Sequence, residues 1–376
     1  MTDQIKITTS QFSPDWVSPP GDTILDLIEE REWTQAELAE RLGYSTKHVS
    51  QLINGKVPLT EDAAVKLQTV LGASVGFWLK REAIYRERVA TLEAAARHEA
   101  MIPWLEKIPV KELMNIGALP KRRIDKQSKP SIVGELLAFF GVAAPEQWQS
   151  HYACMELSFR RNRVDQSDIG AISAWLRLGE RLAEKMDGPK YSSEKLRDVL
   201  PQIRALTTFT PEEFAPRLKK LFHEAGVVFV VVPSIPRACV SGVARWLNPN
   251  RPLIQVSDYG KSNDRFWFSV FHEVAHILLH SKEKKTVFLE DPDAVGPGSL
   301  EEREADEWAS NFLISNENAS ELPKLKTKSA VCAFAERLQL HPGVIVGRLQ
   351  HDNLIEKTWM NELKMRVEQK HFSTIQ

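Results

Sequence analysis

The sequence predicts a mainly α-helical protein with a small β-sheet, an α+β fold of two or three domains. Three observations lead there. Helical periodicity fills residues 22–118 and 132–224, and returns from 263 to the end. Between residues 226 and 256 the period changes: GVVFVVVP reads as a buried strand, SGVARWL as an alternating one and RPLIQVS as a third. Finally, 376 residues at about 100–200 per domain make two or three domains.

The elements divide the chain as follows. Residues 1–20 are polar, carry Pro14, Pro19 and Pro20, and read as a flexible arm. Residues 21–90 form a first helical domain, and 91–118 continue as helix to a stop near Gly117 and Pro120. The basic, polar stretch KRRIDKQSKPS at 121–131 is the expected linker, so 91–131 is a helical connector. Residues 132–199 form a helical region, and 200–376 hold the strands and the last helices. No internal repeat recurs at a fixed period.

Composition narrows the functional classes. With 43% hydrophobic and 26% charged residues, the chain is neither a low-complexity polymer nor a disordered one. Its net charge is -1, so it has no global positive field. Binding to nucleic acid must come from a local patch. Cys154, Cys239 and Cys332 are isolated and odd in number; they form no disulfide framework and fit a reducing cytoplasm. The N-terminus lacks the basic-then-apolar pattern of a signal peptide. The longest aliphatic and aromatic run, Val227 to Val232, is too short to span a membrane.

Local chemistry concentrates in two places. In the first, Thr34 is placed to cap a helix QAELAERL, with Glu37 three residues on, and Gly43 ends that helix. Ser45 caps a second helix over 46–54, where Val49, Leu52 and Ile53 share the inner face. Lys47, Ser50, Gln51 and Asn54 occupy the outer face. These are hydrogen-bonding side chains of suitable reach for base edges and phosphates. Residues 44–56 contain two lysines and no acid, so the local charge is positive. A supporting helix, a glycine turn and a polar-faced second helix make a helix–turn–helix.

From Pro20 to about Tyr85 the chain resembles the Cro/repressor-like family, and within it HigA-type antitoxins. The resemblance rests on the PGD start, TQAELAERLG, SQLINGK, LTEDAAVKL and LGASVGFWL. It implies that Gln35 touches phosphate at a helix N-terminus and that Thr46, Lys47, Ser50 and Gln51 face the major groove. HigA-type antitoxins are far shorter than this chain, which continues well beyond the match.

The second place is His272-Glu273-Val274-Ala275-His276. Histidines at i and i+4 lie on one helical face, so both imidazoles can reach one Zn²⁺ while the glutamate points at water there. Phe266, Val270, Val274 and Leu278 recur at i+4, which embeds the helix in a core. His280 lies a turn further along and is too distant to share the ion. The third ligand is expected from the acidic helix LEEREADEWASNFLI. Its apolar stripe is Ala305, Trp308, Ala309, Phe312 and Leu313, and Glu302 falls near the stripe's edge. Glu302 is therefore preferred, with Glu301 and Glu304 as alternatives. Asp306, i+4 from Glu302, can accept a hydrogen bond from a ligand imidazole.

Together FHEVAHILLH and EEREADEWASNFL resemble the ImmA/IrrE family of gluzincin-like metallopeptidases; Trp308 stands where phenylalanine is commoner. GVVFVVVP, VSGVARWL, PLIQVS and HPGVIVGRLQ add to the likeness over about residues 200–350. The resemblance implies a gluzincin-like domain with zinc on two histidines and a glutamate, and Glu273 as general base. It also implies pairing with a helix–turn–helix and action on regulatory proteins. Arg245, Tyr259 and His280 read as structural, and Arg160, Arg161 and Arg163 as a salt-bridged surface.

Three functions fit. One is a cytoplasmic autorepressor and antitoxin, binding a pseudo-palindromic operator as a homodimer and carrying a zinc peptidase-like domain. Another is a zinc metallo-endopeptidase that cleaves a regulatory protein. The last is an antitoxin that neutralises its toxin by direct contact, with a peptidase-like domain that has lost turnover.

Overall fold

A computed structural model describes residues 18–152, 168–280, 288–290 and 299–372. Most of the expected N-terminal arm lies outside the described residues, as do Cys154 and the arginines at 160, 161 and 163. The chain divides into two compact units, Met1–Ala100 and Met101–Gln376.

Among the described residues the first unit has five helices: α1 (Pro20–Glu29), α2 (Gln35–Leu42), α3 (Thr46–Ile53), α4 (Glu61–Leu71) and α5 (Val75–Ala100). Local signals set their ends. Thr34 accepts from the Glu37 amide at 3.2 Å, and Ser45 from the His48 amide at 3.1 Å. The Glu37 carboxylate turns to Arg41 at 2.8 Å, so the first cap is one-sided. Gly43 takes the left-handed conformation (φ 67°) that a residue with a Cβ rarely adopts. Ile24, Leu38, Val49, Ala64, Leu67 and Trp78 are fully buried and form the core.

The second unit wraps helices around a four-stranded sheet. Its strands are β1 (Val228–Val232), β2 (Gly242–Asn248), β3 (Arg251–Ser257) and β4 (Phe288–Glu290), in the order β1-β3-β2-β4. β1 runs parallel to β3, and β2 is antiparallel to both β3 and β4. Successive β1 side chains enter different cores. Val228, Val230 and Val232 face one, and Phe229 and Val231 face the other. A strand covered on both faces needs a continuous apolar run rather than an alternating one.

Helices α6 (Val110–Ile116), α7 (Lys129–Phe140) and α8 (Ile169–Ala183) supply the first core. The other face packs against α9 (Ser193–Ala205), α10 (Pro211–Glu224), α11 (Asn263–Leu279), α12 (Leu300–Leu313), α13 (Lys328–Leu338) and α14 (Pro342–His351). At Gly179, α8 crosses β3 so closely that a Cβ would sit 1.8 Å from the Gln255 side chain.

The division differs from the sequence expectation in two respects. Helix α5 runs unbroken through residue 90 to Ala100, and the helix expected over 91–118 stops there. Pro103 and Pro109 then interrupt it, leaving a 3-10 turn (Ile102–Lys107) before α6. The stretch 121–131 does not separate the units. Trp104, Leu113 and Leu119 before it share one core with Ile132 and Leu136 after it, and Arg122 is paired with Glu135 across it. Likewise 132–199 is no separate region, because α7 and α8 are the cover of one sheet face. Among the described residues, no helix is long and apolar enough to cross a membrane.

Candidate metal centre and nucleic-acid interface

The candidate nucleic-acid interface is the outer face of α3. Val49, Leu52 and Ile53 are buried beneath it. Thr46, Lys47 and Asn54 are exposed, Ser50 and Gln51 half-exposed, and Gln35 is half-exposed at the first residue of α2. The structure thus presents the expected residues together, with one qualification. The Asn54 amide donates to the Ser50 carbonyl at 2.7 Å, so Asn54 also closes the end of α3. Sequence reasoning missed what fixes the turn. Tyr44 meets His48 edge-on at 4.7 Å and donates to Asp62 at 2.8 Å, while Lys66 lies over its ring. Burial and the Asp62 hydrogen bond push the Tyr44 phenol above its usual range, so it stays a donor.

The candidate metal centre lies between α11 and α12. His272, Glu273 and His276 are 2% exposed or less. Burying them requires compensating partners. Glu302 supplies one: its carboxylate is 3.1 Å from His272 Nε2 and 3.6 Å from His276 Nε2, and the two Nε2 atoms are 3.0 Å apart. One ligand atom from each of these three residues falls within 4.8 Å of the others. Ligands about 2.0–2.1 Å from one tetrahedral ion lie roughly 3.3 Å apart, so the observed spacing fits such an ion.

The hydrogen-bond partners assign the tautomers. His272 Nδ1 is 2.9 Å from Asp306 Oδ1, and a carboxylate only accepts, so Nδ1 carries a proton and Nε2 is the nitrogen that could give a lone pair to a bound ion. Burial pushes His276 down to about 4, which keeps it neutral. Burial works against a charged Glu302, but hydrogen bonds with His272 and His276 outweigh it and hold the carboxyl at about 2. With a divalent cation at the point these three residues share, both Nε2 atoms and the Glu302 carboxylate would turn electron pairs to it, in place of the hydrogen bonds the imidazoles give the carboxylate without one.

Residues of the expected set separate clearly. Glu302, Asp306 and both histidines come together; Glu301 joins neither histidine in this group. Glu304 lies 3.0 Å from His280 Nε2. Arg245 is buried, paired with Glu180 at 2.6 Å and donating to the Leu176 carbonyl at 2.9 Å. Gly242 carried no sequence signal. A Cβ there would lie 2.4 Å from the Glu273 carboxylate, so β2 leaves room for that side chain only because residue 242 is glycine.

Comparison with known proteins adds two domain matches. A family model described as Helix-turn-helix matches residues 24–78, and one described as IrrE N-terminal-like domain matches residues 239–350. An uncharacterized HTH-type transcriptional regulator, YddM of Escherichia coli (strain K12), is 35% identical over 60 residues. That alignment spans 16% of this chain and 64% of that protein, a little under two thirds of its length. The chain thus joins a helix–turn–helix domain like those of transcriptional regulators to a peptidase-like domain similar to the IrrE N-terminal-like model.

Proposed function

We propose that the chain is a HigA-type autorepressor that binds a pseudo-palindromic operator as a homodimer and carries a zinc-dependent peptidase centre. The observation that carries the reading is the convergence of His272, His276 and Glu302 on one point, in a chain whose α3 also presents a polar outer face. One recognition helix per chain reads only a half-site, which favours two copies on DNA. Its surroundings suit Thr46, Lys47, Ser50, Gln51 and Asn54 for groove contacts and Gln35 for a phosphate.

In the second unit, His272, His276 and Glu302 would hold zinc, with Asp306 orienting His272. Bound zinc supplies Lewis acidity that polarises a scissile carbonyl and acidifies water. Glu273, lodged against Gly242, would be the group that accepts a proton from the attacking water and donates it to the leaving amine. An intact Glu273 favours cleavage of a regulatory protein over mere metal storage.

The test combines two measurements on the purified chain. Elemental analysis should find one zinc per chain, retained in Glu273→Gln. Gel shift should show binding to DNA upstream of the chain's own coding region, in both proteins. Absence of zinc removes the peptidase half of the reading, and absence of a shift removes the autorepressor half.

A further inference from the structure

His276 has an outer partner of its own. His276 Nδ1 lies 3.1 Å from His280 Nδ1, and His280 Nε2 lies 3.0 Å from Glu304 Oε2. His280 is four residues beyond His276, at the C-terminal cap of α11, and Glu304 sits on α12 two residues after Glu302. The His280 side chain is 8% exposed and that of Glu304 is 50% exposed, so the chain of contacts runs from the surface to the buried histidine.

Only one proton arrangement fits these contacts with neutral imidazoles. The Glu304 carboxylate accepts, so His280 Nε2 donates. A neutral imidazole with its proton on Nε2 presents a lone pair at Nδ1. His280 Nδ1 therefore accepts from His276 Nδ1–H, which leaves the His276 lone pair on Nε2, facing Glu302 and His272. The opposite arrangement would turn the proton of His276 into the centre and the lone pair away from it. On the other ligand, Asp306 achieves the same result directly. The two histidines are thus oriented by different devices, a carboxylate for His272 and an imidazole–carboxylate pair for His276.

We propose that His280 and Glu304 are positioning residues for the metal centre, fixing the tautomer and ring orientation of His276. This rests on the zinc reading above. It gives Glu304, a candidate ligand by sequence, an orienting role, and gives His280 one beyond packing. Outer partners of ligand histidines change metal affinity by about 10–100-fold when removed.

The experiment measures zinc affinity by chelator competition, and the absorption spectrum of the Co²⁺-substituted chain, for four proteins: wild type, His280→Phe, His280→Asn and Glu304→Gln. Phenylalanine keeps the ring volume and removes the acceptor. The Asn amide oxygen replaces Nδ1 and can still accept from His276. The expected result is an affinity loss of about 10-fold or more in His280→Phe with an altered Co²⁺ spectrum. His280→Asn should recover most of both, and Glu304→Gln should fall between. A purely packing role would instead make Asn, the smaller side chain, worse than Phe, which overturns the proposal. Glu304→Gln, at a half-exposed site, provides the test if His280→Phe does not fold. Wild-type zinc affinity in Glu304→Gln and His280→Phe overturns this proposal alone, and a wild-type chain that binds no zinc overturns the zinc reading with it.

Discussion

Helices α3 and α11 carry the two candidate functions and are built in opposite ways. α3 has 8 residues, closed at the start by Ser45 and followed by Asn54, and its functional side chains lie outward. α11 has 17 residues with no side-chain cap at its start, and its functional side chains face inward. On α3, burial stabilises the helix through Val49, Leu52 and Ile53 while the polar face costs nothing. On α11 the polar groups are themselves buried, and only partners from α12 make that tolerable. A surface function is thus specified by one short segment, whereas a buried one needs two segments that only the fold brings together.

If that contrast is right, the largest effect belongs to Glu302. Glu302→Ala should strip zinc from the chain on dialysis against a weak chelator and lower local stability around α12, while Glu301→Ala keeps its metal. DNA binding should be unchanged in both. Retention of full metal in Glu302→Ala would show that the ligand came from elsewhere.

Acid should act on the buried site and spare the exposed one. In the metal-free chain His276 is held from 6.5 down to about 4 by burial, so the unfolded chain takes up that proton first. Its contribution to stability is complete above 6.5 and is lost as pH falls toward 4, by about 2 kcal/mol between pH 7 and 5. Glu302, held from 4.5 at about 2 chiefly by the two histidines against its burial, adds a further loss below 4.5. Differential scanning of the metal-free chain checks this; a melting temperature that does not fall between pH 7 and 5 contradicts it.

On the exposed side, Lys47→Ala and Gln51→Ala should each weaken operator binding by about 1–3 kcal/mol. Neither should alter metal content. A gel-shift titration at fixed salt reads the first effect, and equal affinities in wild type and both variants would dismiss α3 as the reading helix.

The smallest effect isolates backbone conformation. Nothing lies within 4 Å of a Cβ built at Gly43, so Gly43→Ala meets no steric clash and only its φ of 67° resists. The expected cost is about 1 kcal/mol, read as faster hydrogen exchange in α2 and α3. A cost several times larger would mean that packing, and not the turn, holds this position.

Much of the molecule was legible because its causes are local. Caps at Thr34 and Ser45, the turn at Gly43 and the three strands followed from residues within a few positions of one another. The i, i+4 spacing of His272 and His276 placed both on one face, and helical geometry favoured Glu302 while leaving Glu301 and Glu304 as alternatives. The linker was misplaced because a basic, proline-containing stretch looks the same whether it joins domains or crosses the surface of one. Trp104 and Leu113 packing with Ile132 decided that, and no local signal reports it.

By itself, then, the sequence determined periodicity, caps, turn glycines and the pairing of residues one helical turn apart, because these depend on backbone geometry over short distances. Tertiary structure alone decided which residues from distant segments meet. It placed Gly242 of β2 against Glu273, brought Glu304 to His280 rather than to the ligand point, and laid α6, α7 and α8 across the sheet. The physical reason is that a buried polar group is tolerable only where the packed fold supplies its partner.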